Sequence, residues 1–289
     1  KVRENALKII DSYMRTDPEV KIKYASKYAS TANYWKKWIG ENQGLEKSKA
    51  AQKKKDLETE FSKIVTTKDL AGYSTLLADF EKLYQEIESV SLARDYWIEV
   101  AYRNVELLGI TFRAFQIEQA YLRGGEQGFE NAKNAILNRL EGTYKNYSAE
   151  VDKPVFEKLV ALYAEKSPKA YSPSNLEGVN FIDLANNIYS TSKLTTLEGA
   201  KELLSGTTEE AIKKLNEDSA YQFGKEFHTT FYDKIEPKFQ ELNQQLVAVQ
   251  KQYMKGLMDV FPNKRFFPDA NSTLRVTYGQ VSGYEPRDG

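Results

Sequence analysis

Cysteine is absent from the sequence, and histidine occurs once, as His228. The first absence removes disulfides, thiolate zinc sites and cysteine nucleophiles. It leaves the compartment open, because a cysteine-free chain suits the cytosol and a bacterial periplasm equally. A lone histidine allows one base for a Ser–His–Asp arrangement and no HExxH-type metal spacing. An excess of charge is also missing, since 41 Lys and Arg face 41 Asp and Glu. A nucleic-acid binder needs a basic excess to release counterions, so nucleic acid is not expected as a partner. No run of 18 apolar residues occurs, so no membrane span is expected. Gly124, Gly125 and Gly128 have neither the spacing nor the preceding strand of a nucleotide-binding turn. No catalytic residue, metal ligand or cofactor is therefore assigned.

What is present is helical periodicity. Val2 to Arg15 places Ala6, Ile9, Ile10 and Tyr13 on one face. Asp17-Pro18-Glu19 then combines a capping Asp, Pro at the first helical position and an early acid. The helix it opens should run to Gly40 or a little beyond. Further helices are expected from Leu45 to Ile64, from Thr67 or Asp69 to Ser89, from Ser91 to Leu122 with a C-cap at Gly124-Gly125, and from Glu126 to Tyr147. Asp152 should cap the next one, and 167–178 should be a loop. Two short pieces with a break at Ser205-Gly206 should follow. Over 218–260 a seam of Phe223, Phe227, Phe231, Ile235, Phe239, Leu242, Leu246, Val249, Tyr253, Leu257 and Val260 repeats at helical spacing, with Pro237 expected to kink it. His228 falls beside that seam and reads as packed at its boundary. The basic run from Lys47 to Lys55 reads as a solvated helix face.

The fold class expected is all-α, an elongated bundle of long antiparallel helices. Only the tail changes period, in TLRVTYGQV (273–281), where Leu274, Val276 and Tyr278 alternate with polar residues as in a strand. One strand cannot form a sheet alone, so its partners should belong to an absent part of the protein. A first residue of Lys1 rather than Met, with helix period from the outset, reads the same way, as a piece of a longer chain.

The stretch YASKYASTANYWKKWIG (24–40) is the one that suggests a site. At 100° per residue, Ile22, Ala25, Ala29, Ala32 and Ile39 form an apolar stripe, and Tyr24, Tyr28, Trp35 and Trp38 an aromatic stripe beside it. Together they exceed the usual core-facing width, so this helix should be buried against its own bundle and against something else. Lys36 falls in the alanine stripe and should snorkel or find a partner. Asn33 stands at the stripe's edge, where a fixed amide offers one acceptor and two donors, or simply satisfies its neighbours.

SxxNYWK at Ser30 to Lys36 resembles the start of the helical domain of the bacterial serine dipeptidyl peptidases of the dipeptidyl peptidase 7 and 11 type. FPDANSTLRVTYGQVSGYEPRDG (267–289) is similar to the segment by which that family's chain returns to its catalytic domain. The resemblance implies a helical cap domain, 1–265, inserted in a chymotrypsin-like β-barrel, and a return segment, 266–289. It implies that the triad lies elsewhere in the parent, that this piece is inactive alone, and that His228 has no catalytic role. It implies cleavage of dipeptides from oligopeptides with a free N-terminus, with Asn33 among the groups holding the α-amino nitrogen, and a lean to the Asp/Glu-specific branch. Its partners would be those oligopeptides and the parent's own barrel, its location the periplasm or surface of a Gram-negative bacterium. A homodimeric parent is left open. The alternative from the residues alone is a non-enzymatic helical scaffold or binding module, and an unpaired terminal strand speaks against it.

Overall fold

Asp17 ends one helix and starts the next. In the computed structural model, which describes residues 1–267, 272, 274 and 276–285, it lies between α1 (Val2–Thr16) and α2 (Pro18–Lys47). Its Oδ1 accepts from the N–H of Glu19 at 2.7 Å and of Val20 at 3.2 Å. Pro18 at the first helical position forfeits no bond, because that N–H would have no partner. α2 runs past Gly40, further than the little expected. It continues through Gly44 and breaks at Ser48-Lys49, where Lys49 takes a φ of 51°. α3 (Ala50–Thr67) follows, and nearly every residue from 36 to 56 is exposed. The Lys47–Lys55 run sits on this projecting arm, a solvated face as read.

The next boundaries differ from the sequence expectation in an instructive way. Asp69, at a φ of 53°, and a short turn at Ala71–Tyr73 delay α4 to Leu76–Trp97. α4 runs straight through Ser89–Ser91, where a boundary was expected. It then widens into a π turn over Ile98–Asn104, and Val105 is extended before α5 (Glu106–Lys145). No residue at Val105 caps α5. The cap comes from Asp152 in α6 (Ala149–Lys166), whose two carboxylate oxygens accept from Glu106 N and Leu107 N, each at 2.8 Å. Asp152 thus caps a helix other than the one it was expected to start. The first N–H groups of any helix lack partners, and a carboxylate from anywhere in the chain can satisfy them.

α5 is two legs. Gly125, at φ 58° and ψ −148°, occupies backbone space essentially reserved for glycine. The chain turns back there so tightly that a Cβ on Gly128 would run into the carbonyl of Ala120. α7 (Phe181–Thr191), α8 (Leu197–Leu203) and α9 (Thr208–Glu217) are short. Thr207 and Glu210 form a reciprocal capping box at the start of α9. α10 (Ser219–Thr230), a π turn at Phe231–Ile235 and α11 (Glu236–Val260) then make one continuous rod. The widened turn lies just upstream of Pro237, which has no N–H to return to the preceding turn. The predicted seam faces inward along the whole rod, with Phe227 and Ile235 fully buried.

Two hydrophobic cores result. The larger gathers residues from α1, α2, α4 to α11 and the π turns; the smaller joins Phe61, Val65, Leu76, Tyr253, Leu257 and Val260 at the far end. α4 and α11 run antiparallel and link them, Leu76 meeting the end of α11 and Arg94 pairing with Glu236 at 2.9 Å near its start. The bundle is therefore all-α and elongated, as expected. At the tail, Thr273 and Arg275 of the expected strand lie outside the described residues. Leu274, Val276 and Tyr278 are fully or almost fully exposed, and 276–285 carry no regular secondary structure. The expected strand is therefore not formed among the described residues.

Candidate functional site

α2 is seated by its aromatic stripe. Tyr24, 1% exposed, reaches across to α5 and donates its hydroxyl proton to Glu106 Oε2 at 2.5 Å. The Tyr24 hydroxyl oxygen in turn accepts from Ser148 N at 3.2 Å, which ties α2 to the start of α6. Lys27 Nζ reaches the other Glu106 oxygen at 3.3 Å. Further along, Arg3 of α1 makes two parallel 2.7 Å bonds to the carboxylate of Glu99, and its guanidinium lies 4.2 Å from the Trp38 ring. A stacked and forked arginine in this setting holds both helices in register. Neither Arg3 nor Glu106 was legible as a seating residue. Their partners are 96 and 82 residues away.

Asn33 stands on the opposite side. Nine residues from Tyr24 places it half a turn round the helix, and it is exposed together with Ile22, Ala25, Ala29 and Lys36. Ile22 is 82% exposed. Of the two sides expected to be covered, the aromatic one packs on the bundle through Tyr24 and Tyr28, and the alanine one is open within this chain, the side left for something else. The exposure resolves Lys36, whose ammonium needs neither a partner nor a bent stem. Asn33 makes no side-chain hydrogen bond among the described residues, so its carbonyl and amide face outward unspent. Its neighbours one turn away along the helix are Ala29, Ser30, Lys36 and Lys37.

Behind α2 lies the most strongly perturbed carboxyl among the described residues. Asp152 is fully buried and accepts a third bond from Tyr189 Oη at 2.6 Å. Burial, then the nearby Glu106 charge, push its pKa up to about 6 from 3.8, against the pull of Lys27 and its hydrogen-bond donors. Every one of those donors is a framework group, so this carboxyl positions helices and is not presented to a ligand.

His228 lies deeper than the boundary position expected of it. It is fully buried, with Nε2 3.1 Å from Thr111 Oγ1 and the rings of Phe112, Phe115 and Trp97 around it. Burial drives its pKa down to about 3, so the ring is neutral at physiological pH. It serves packing.

The sequence model of the peptidase S46 family matches residues 1–289. The chain is 46% identical over 288 residues to the Asp/Glu-specific dipeptidyl-peptidase of Flavobacterium psychrophilum, covering 99% of this chain and 40% of that protein. It is 41% identical over 289 residues to the enzyme of the same name from Capnocytophaga gingivalis, covering 99% and 41%. Identity to the dipeptidyl-peptidase 7 of Phocaeicola vulgatus is 27% over 300 residues, covering 100% and 40%. The chain thus spans about 40% of the length of the curated relatives it matches. Among solved structures, the crystal structure of Porphyromonas endodontalis DPP11 in complex with the dipeptide Arg-Glu superposes with a TM-score of 0.70 at 20% identity, covering 89% of this chain and 37% of that one. That likeness bears on the fold. With a family match running from the first residue to the last over an all-helical bundle, the chain belongs to the peptidase S46 family.

Proposed function

We propose that this chain is the helical cap domain of a serine-type dipeptidyl peptidase and that Asn33 helps hold the α-amino group of the substrate. The observation that carries the reading is the division of α2 into two sides. One side is fastened by Tyr24, Lys27 and Arg3. The other presents Asn33 in an open stripe of small residues where backbone or substrate can approach closely. A fixed acceptor on a rigid element is what recognition of an ammonium requires. Residues 1–265 form the cap in this reading, and 266–289 return the chain to a catalytic barrel that supplies the triad and the strand partners.

The parent releases dipeptides from oligopeptides with a free N-terminus, in the periplasm or at the cell surface. Its preference is for Asp or Glu at the cleavage site. The higher identities to the two Asp/Glu-specific relatives than to the dipeptidyl-peptidase 7 support that branch. An asparagine at a fixed distance from the scissile bond acts as a ruler, and closing the cap completes the amine pocket and excludes water.

The test is steady-state kinetics of the full-length protein and its Asn33→Ala variant on a dipeptidyl reporter, with and without N-terminal acetylation. A hydrogen bond to a charged group is worth about 1.5–3 kcal/mol, or roughly one to two orders of magnitude. The variant should lose at least tenfold in kcat/KM on the free amine and little on the blocked substrate. Equal rates for wild type and variant on both would remove Asn33 from the amine site.

A further inference from the structure

The two legs of α5 enclose a cleft of about 740 Å³ whose charge is out of keeping with a neutral chain. Arg113 comes from the first leg, Arg139 from the second, Arg103 from the π turn and Lys27 from α2. The acid lining it is Glu106, which is already engaged by Tyr24 and Lys27. Arg103, Arg113 and Arg139 make no ion pair and no side-chain hydrogen bond among the described residues. Arg3, Arg15 and Arg94, by contrast, each hold a carboxylate. Three arginines lining one cleft with no ion-paired carboxylate among the described residues give it a positive potential, so the arrangement favours an anionic occupant.

The chemistry of that occupant follows from the cleft's walls. A phosphate would seek the free N–H groups of a helix N-terminus. The helix that begins here is α5, and its first N–H groups are taken by Asp152. What remains is planar, forked donors suited to carboxylates, with Gln116 and Asn138 as neutral amides between them. The volume is that of a small-molecule or short-peptide pocket rather than a lone-ion site. We infer that this cleft binds a peptide segment carrying two or more carboxylates, gripped by Arg103, Arg113 and Arg139. The site lies on the packed flank of α2, away from Asn33, and its occupancy does not require a free α-amine.

Fluorescence anisotropy on the full-length protein tests this with acetyl-tetraglutamate labelled at its C-terminus, the acetyl group keeping the probe out of any amine pocket. Arg113→Gln with Arg139→Gln should weaken binding at least tenfold. Arg123→Gln with Lys47→Gln, an equal loss of charge outside the cleft, should change it less than twofold, as should Asn33→Ala. Arg113→Lys with Arg139→Lys, which keeps the charge and loses the fork, should recover only part of the affinity. Thermal melts of each variant establish that it is folded. Equal weakening by the outside pair, equal binding of acetyl-tetraglutamine, or displacement by inorganic phosphate as efficient as by unlabelled acetyl-tetraglutamate would each overturn the inference. A failure here with Asn33→Ala still impaired on free-amine substrates would leave the amine reading standing.

Discussion

Tyr24 and Glu106, 82 residues apart, share a 2.5 Å hydrogen bond that joins α2 to the first turn of α5. Removing the hydroxyl alone, by Tyr24→Phe, keeps the ring in place and leaves the carboxylate with Lys27 as its partner. The expected loss is about 1.5–3 kcal/mol, as for a bond to a charged acceptor. Urea unfolding should show a lower midpoint with an unchanged slope. An unaltered midpoint would mean that solvent replaces the bond at no cost.

Asp152 gives a pH dependence whose sign can be worked out. Its folded pKa is raised to about 6, above the 3.8 of the free side chain, chiefly by burial. Between those values the folded state holds the proton and the unfolded state does not. The contribution of this carboxyl is therefore full at low pH and lost as pH rises through about 6. Asp152→Asn cannot titrate. The stability difference between wild type and variant should shrink from pH 4 to 6.5 and then level off, read from urea midpoints at each pH. A difference that grew with pH would reverse the assignment.

His228 is the one histidine, so its ring resonances need no assignment. With the pKa driven down to about 3, its imidazole shifts should stay flat from pH 8 to 5. A group held neutral by the fold contributes stability above its unfolded pKa, near 6.5, and loses it as pH falls toward the folded value. An inflection near 6.5 in the folded protein would place the ring in water.

Gly125→Ala puts a side chain where the backbone has a φ of 58° and a ψ of −148°. The cost should be about 1–3 kcal/mol. Gly124→Ala, next to it, meets nothing within 4 Å and should be neutral or slightly stabilising. Thermal melts of the two variants side by side check the contrast. Equal melts would mean that the chain turns by another route.

Local signals carried far in this sequence. The Asp17-Pro18 start and the 223–260 seam needed nothing beyond their own neighbourhood, and both appear as read. The interruption at Val105 did not, because its cap lies 46 residues further on and leaves no mark on the residues it caps. The two stripes of α2 were ambiguous for a different reason. Alanine is at home in a core or on an open helix, whereas tyrosine and tryptophan pack by their rings and hydrogen-bond by their tips. Lys36 within the alanine stripe was the available sign that this side is open. Asn33 as a residue type was visible at once; the outward direction of its face came only with the fold.

The cap on α5 also imposes an order on synthesis. When Glu106 and Leu107 leave the ribosome, the carboxylate that will accept their N–H groups has not been made. At the usual elongation rate of about 5–20 residues per second, it follows roughly 2–9 seconds later. Through that interval the first turn of α5 has no side-chain cap, and the Glu106 that Tyr24 must find has no fixed place. α2, finished long before, waits undocked on a partner helix that α6 alone can complete. Stalling translation just short of residue 152 should therefore yield a nascent chain whose α1–α2 hairpin is made but unanchored, and accessible to chaperones until the aspartate emerges.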